Sequence, residues 1–188
     1  MLISTAFGAA AAPTLAANGT GGAGAAALPP SATGVGQPPP AVPITTPLPT
    51  AQLAADRRTA IPPASAPDAV KNAIYAANQL TRKRYRYGGG HRSFVDTAYD
   101  CSGSVSYALH GGEILDSPLD SSSFMRWGKR GTGDWITVYT NPSHAFMVIA
   151  GIRLDTSASG DPSGNKGPRW RPVLRSTRGF HARHPANF

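Results

Sequence analysis

The chain predicts an α+β domain, and three observations carry that prediction. Apolar residues recur at helical spacing in two segments, Val70-Ala73-Ile74-Ala77 and Val105-Ala108-Leu109. Strand-like runs follow only later, at Trp135–Tyr139, Ala145–Ile149 and Ile152–Thr156. The last two runs are separated by Ala150 and Gly151 alone, a hairpin signal that makes the sheet antiparallel. The expected architecture is therefore N-terminal helices packed on a small antiparallel sheet.

Taken in order, residues 1–67 differ in composition from the rest. They are dominated by Ala, Pro, Gly and Thr, with Phe7 the one aromatic residue and Asp56, Arg57 and Arg58 the only charges. Every Trp, Tyr and His, and the single Cys, come later. So little apolar area cannot offset the entropy of ordering the chain, and the segment is expected to be disordered or linker-like. Its Pro-rich stretches, such as Pro43 to Pro49, should be extended. Met1 to Ala12 is apolar and Ala9 to Ala17 is small enough for signal cleavage, but a basic start is missing, so it reads as a partial secretory signal. Residues 68–188 are the expected folded domain.

Within that domain, Ser65-Ala66-Pro67-Asp68 reads as a capping box opening a helix that runs to about Leu80. The basic run Arg82-Lys83-Arg84 suits a helix C-terminus. Gly88-Gly89-Gly90 then breaks the helix; without a following Lys-Ser/Thr or a preceding strand it is not a phosphate cradle. A polar loop, His91 to Tyr99, leads to a second helix that begins near Cys101 and ends near His110-Gly111-Gly112, with the glycines as C-caps. Residues 113–133 are loop-rich, with Phe124, Met125 and Trp127 as buried anchors. After the three strand runs, Ser157 to Gly167 is an exposed loop and Trp170 to Leu174 a last short strand.

The net charge is +8 and the pI about 10.2. Such a balance favours polyanions in general without choosing among nucleic acid, anionic lipid and acidic wall polymer. No helix-turn-helix, zinc-finger or RNA-binding signature is present, so no specific nucleic-acid partner is expected. No stretch is long and apolar enough to span a membrane. No Cys/His cluster has metal-ligand spacing, so neither metal nor other cofactor is expected.

Chemistry enters with Cys101, the only cysteine, in Tyr99-Asp100-Cys101-Ser102-Gly103-Ser104. A lone thiol forms no intrachain disulfide; it packs, links chains or reacts. The flanking Asp, Ser and Gly are cap and turn residues, which place the thiol in the first turn of a helix, where the dipole favours a thiolate. A cysteine nucleophile needs a base and a group that orients the base. His144, at the mouth of an apolar strand, is the best candidate base; His91, His110, His181 and His184 fit less well. If Ala150 and Gly151 form the turn, Ile149 pairs with Ile152 and Phe146 with Asp155. Alternation then puts Asp155 on the face of His144 and Phe146, diagonal to His144 and within reach of it. A one-residue slip would reverse that face. Each residue keeps a plainer alternative: a buried thiol, a capped surface histidine, a strand-end carboxylate.

Tyr85-Arg86-Tyr87-Gly88-Gly89, Asp100-Cys101-Ser102-Gly103-Ser104-Val105, Gly133-Asp134-Trp135-Ile136 and His144-Ala145-Phe146-Met147-Val148, in this order, resemble the NlpC-type cysteine peptidases of bacterial cell walls. The resemblance spans about residues 68–157. It implies a papain-like fold and hydrolysis of amide bonds in peptidoglycan stem peptides, commonly next to D-glutamate. By position it makes Cys101 the nucleophile, with its backbone N–H contributing to the oxyanion hole, and His144 the base. Tyr85, Asp100 and Ser102 would line the substrate site. Family members usually carry a second histidine on the strand after the base; here Asp155 stands near that place, one residue early. The loop after Asp155 and the Arg-rich tail lie outside the general pattern. The resemblance further implies a secreted, wall-located monomer with peptidoglycan as its partner. The alternatives are an acyltransferase or amidase on the same fold, and a non-catalytic basic wall-binding protein.

Overall fold

A computed structural model describes residues 47–172 and 174–188. In chain order its elements are β1 (Gln52–Leu53), β2 (Ala60–Ile61), α1 (Asp68–Leu80), β3 (Arg84–Tyr85), β4 (Ala98–Tyr99) and α2 (Cys101–Gly111). There follow α3 (Ser121–Phe124), β5 (Lys129–Arg130), β6 (Ile136–Asn141), β7 (His144–Ile149), β8 (Ile152–Asp155), β9 (Arg169–Arg171) and β10 (His181–His184). The domain is thus a mixture of helix and sheet. Among the described residues six strands form one sheet in the order β5-β10-β6-β7-β8-β9, every neighbouring pair antiparallel.

Helix α1 buries Val70, Ala73, Ile74, Ala77 and Leu80, one face at helical spacing. The first four join Val105, Ala108 and Leu109 of α2 and Val138, Ala145, Met147 and Ile149 of the sheet in a single core. The odd-numbered residues of β7 therefore face the helices. Its even-numbered residues His144 and Phe146 lie on the opposite face, which the C-terminal segment covers: Phe180 packs edge-on to Phe146 at 5.1 Å. The β7–β8 turn is Ala150-Gly151, as the spacing predicts, and Ile149 pairs with Ile152. Both turn residues have positive φ, 43° and 77°, the geometry of a tight hairpin.

Three expectations are corrected, and one at the end of α2 is met. The capping box at Ser65 does not form: Pro67 is the N-cap of α1 and no side chain caps it, the fixed φ of proline starting the helix instead. Gly112 is the C-cap of α2, as expected of the glycines there, and the left-handed residue that follows is Glu113. Met125 and Trp127 are half-buried, and only Phe124 of that trio is fully inside. The boundary at residue 67 is too late for the described part of the segment. Ala51, Ala60 and Ala66 are buried. The Ala51 N–H donates to the Ala150 carbonyl at 2.8 Å. Asn78 of α1 accepts from Ala60 N–H (2.8 Å) and donates to its carbonyl (3.0 Å). Small side chains and satisfied backbone groups hold this stretch down where apolar bulk could not. The readings of residues 1–46 as disordered, Pro-extended or signal-like lie outside the described residues.

Candidate active site

The N-terminus of α2 is built by local hydrogen bonding. Asp100 is its N-cap, and Oδ1 accepts the Gly103 N–H at 2.8 Å. The same carboxylate takes the Gly88 N–H on Oδ2 at 3.0 Å, and the Asp100 N–H donates to the Gly89 carbonyl at 3.1 Å. The glycine loop is thereby fastened across the first turn of the cysteine helix. The approach is so close that a methyl group on Gly103 would collide with the Gly89 carbonyl oxygen. This explains the glycine at 103; at 89 a methyl group would instead collide with the Ala98 carbonyl oxygen.

Cys101 is the first residue of α2 and is 8% exposed. Its Sγ lies 3.7 Å from Ser121 Oγ. Ser121 opens α3, whose N-cap Asp120 accepts the Ser123 N–H at 2.7 Å. Burial pushes the thiol up, but hydrogen bonding from His144, the Ala145 N–H and Ser121 outweighs it and brings Cys101 below its ordinary value.

His144 is held at the start of β7 by Asn141, whose Oδ1 accepts the Ser143 and His144 N–H groups at 3.0 and 2.9 Å. His144 Nε2 is 2.9 Å from Asp155 Oδ1, so Nδ1 is the nitrogen left for the thiol. The hairpin parity read from the sequence is the geometry observed. Burial disfavours the imidazolium, but Asp155 and Cys101 together raise His144 from 6.5 to about 9. The Asp155 side chain is fully buried. That burial raises its affinity for a proton, yet the His144 bond and the Ser157 N–H, 2.8 Å from Oδ1, keep it ionised below the ordinary range.

A cleft of about 630 Å³ opens over the thiol, lined by Tyr85, Tyr87, His91, Asp100, Ser102, Asp120 and Pro142 among others. All three residues expected to contact substrate, Tyr85, Asp100 and Ser102, therefore border it. The carboxylate of Asp100 is largely spent inside the protein, as cap and anchor. His91, set aside in the sequence as a loop residue, projects into this cleft with Nε2 2.9 Å from Asp100 Oδ1 and 3.2 Å from Ser102 Oγ. Because one nitrogen meets both partners, Ser102, His91 and Asp100 do not form a serine relay, which needs both ring nitrogens. Sequence signals for these neighbours existed: the Asp120-Ser-Ser-Ser cap for Ser121, and the position of His91 directly after the glycine run. A separate cavity of about 200 Å³ gathers Arg57, Arg58, Arg169 and Arg171 with Asp56 and Asp161, and neither Cys nor His lines it. Among the described residues no group of three or more His, Cys, Asp or Glu is placed to hold a metal ion, and no helix is long and apolar enough to cross a membrane.

No family model matches the chain, and no curated protein matches it. Some solved structures are similar to this chain. One similar structure is the peptidoglycan hydrolase RipB from Mycobacterium tuberculosis, at 23% identity and a TM-score of 0.49, covering 68% of this chain and 70% of that one. Another is a hypothetical invasion protein of Mycobacterium tuberculosis, at 18% identity and 0.45, covering 64% and 63%. A third is NlpC1 from Trichomonas vaginalis, at 15% identity and 0.45, covering 64% of this chain and 45% of that one.

Proposed function

We propose that this chain is a cysteine peptidase that hydrolyses amide bonds in peptidoglycan stem peptides, with Cys101 as nucleophile, His144 as base and then acid, and Asp155 orienting His144. The observation that carries the reading is the 2.9 Å bond from His144 Nε2 to the buried Asp155, on an imidazole whose other side meets a thiol of lowered pKa. The lowered thiol and the raised imidazole favour each other's charged form, so the reactive species is a thiolate–imidazolium pair.

The thiolate attacks the amide carbonyl and the oxyanion develops beside the first N–H groups of α2, which have no intrahelical acceptor. His144 gives its proton to the departing amine, leaving a thioester on Cys101. Water, deprotonated by the now neutral His144, attacks the thioester; the acid product leaves and the thiol–imidazole pair is restored. Tyr85 and Ser102 border the path of the peptide, and His91 adds a donor to the same wall. The net charge of +8 draws the chain to a polymer rich in carboxylates. Such a substrate places the protein outside the cytoplasmic membrane, acting on the wall as a monomer without a cofactor.

The test is solubilisation of purified sacculi, with mass analysis of the released peptides, for the wild type and Cys101→Ala. Wild-type release of new amine termini within stem peptides, abolished in a variant of unchanged melting temperature, is the expected result. Equal release by both proteins would end the proposal.

A further inference from the structure

Asp155 is an unusual third member for a buried site, because a fully desolvated carboxylate must be both ionised and aimed. Its Oδ1 is committed to His144 and the Ser157 N–H. Three arginines surround the rest of it, and they act differently. Arg171 donates Nε to the Asp155 main-chain carbonyl at 3.0 Å and so holds the strand end. Arg153 places Nε 3.8 Å from Oδ2, beyond hydrogen-bond distance, and spends Nη2 on the Ser159 carbonyl; it contributes charge. Arg175 alone donates to the side chain, Nη1 to Oδ2 at 3.3 Å.

Arg175 is itself fixed. Its guanidinium sits 5.2 Å from the centroid of Phe146 and 5.3 Å from that of Phe180, a cation between two aromatic rings. Phe180 also meets the His144 ring edge-on at 6.3 Å. The segment is anchored downstream by β10, where His181 pairs with Thr140 of β6.

We propose that Arg175 is a positioning residue of this site: clamped by Phe146 and Phe180, it pins Oδ2 of Asp155 so that Oδ1 stays directed at His144. The inference rests on the Cys101–His144–Asp155 reading above. It makes the C-terminal segment, which lies beyond the span of the family resemblance, a part of the reacting centre.

The test is the pH profile of Cys101 alkylation by iodoacetamide, read on the low-pH limb where the thiolate–imidazolium pair forms, in wild type, Arg175→Gln and Arg175→Lys. The titratable and charged groups facing the Cys101–His144 pair are Asp155, Tyr85, His91, Asp100, Asp120 and Lys166, with Arg153, Arg171 and Arg175 behind Asp155, and only the last changes. Positioning predicts that Arg175→Gln moves the limb upward by half a pH unit or more, about a twofold loss of rate at its former midpoint and about threefold well below it. Arg175→Lys, which keeps charge and a donor, should recover most of it. If Arg175 is only a counter-charge, its loss stabilises the imidazolium and the limb moves downward instead. If it only stitches the tail, melting temperature falls and the limb stays. Either result overturns the proposal while leaving the peptidase reading intact. A wild type with a free-thiol profile overturns both.

Discussion

Replacing Asp155 by Asn tests the electrostatic core of the site. An imidazole moved from 6.5 to about 9 has gained about 3 kcal/mol of preference for its charged form. Asp155 is the largest favourable contributor to that gain and the Cys101 thiolate the other, so Asn should remove well over 1 kcal/mol. The low-pH limb of Cys101 alkylation should then rise by about one pH unit or more. Turnover of stem peptides should fall by about 10²- to 10⁴-fold, because an Asn also allows the wrong tautomer. The substitution has a second cost: Arg153 and Arg175 lose their shared carboxylate, and breaking a buried pair costs about 3–5 kcal/mol. Thermal unfolding must therefore be followed alongside alkylation, and a second variant, Asp155→Asn with Arg175→Gln, removes one charge of each sign to recover stability. In that double variant the limb should still lie high. His144→Ala sets the upper bound, an ordinary thiol profile. An Asp155→Asn protein that is folded, with limb and turnover within twofold of wild type, would refute the reasoning.

Two further outcomes follow from the geometry. Gly103→Ala should lower stability by about 1–3 kcal/mol and reduce activity by more than the stability loss explains, because a methyl group there drives the Gly89 carbonyl off the Asp100 cap; denaturant melts and alkylation rates on the folded protein check it. With the thiol removed in Cys101→Ala, Asp155 still holds the folded-state pKa of His144 above its unfolded value near 6.5. A raised folded pKa gives stability that is complete below the unfolded pKa and lost as pH rises through the folded one. Unfolding free energy should therefore decline as pH rises above about 6.5 through the folded-state pKa, which lies below about 9 once the thiol is gone, and a Cys101→Ala/His144→Gln protein should lack that slope.

Local rules reached the parts of this site that local geometry builds. The cap at Asp100 and the first-turn thiol depend on four consecutive residues, and the alignment of His144 with Asp155 depends on a two-residue turn whose parity can be counted. What escaped was set by distant pairing. Strands β1 to β5 are each two residues long and carry no periodicity to read. β10 is His-Ala-Arg-His, with no apolar alternation, and becomes a strand because β5 and β6 flank it. His91 reaches the cleft because Gly88 and Gly89 bond to Asp100. Arg175 is twenty residues from Asp155, beyond a long loop and a strand, and no spacing rule connects them.

That last contact bears on why an aspartate can stand where a histidine is usual in the resembling family. A neutral imidazole in the third position needs only a hydrogen-bond partner, whereas a carboxylate at full burial would take up a proton unless cations offset its desolvation. Here Arg153 and Arg175 lie 3.8 and 3.3 Å from the outer oxygen, and His144 takes the inner one. One of the two arginines comes from the same strand as Asp155. The other comes from the tail, which also supplies the aromatic ring that holds it. The carboxylate and the tail therefore meet in one physical unit: Asp155 gives the buried Arg153 and the half-buried Arg175 a counter-charge, while the His144 bond and the Ser157 N–H, with the Arg153 charge, keep it ionised. An extension that looks dispensable by its composition supplies Arg175 to the carboxylate at position 155. The two features should stand or fall together in any variant of this chain.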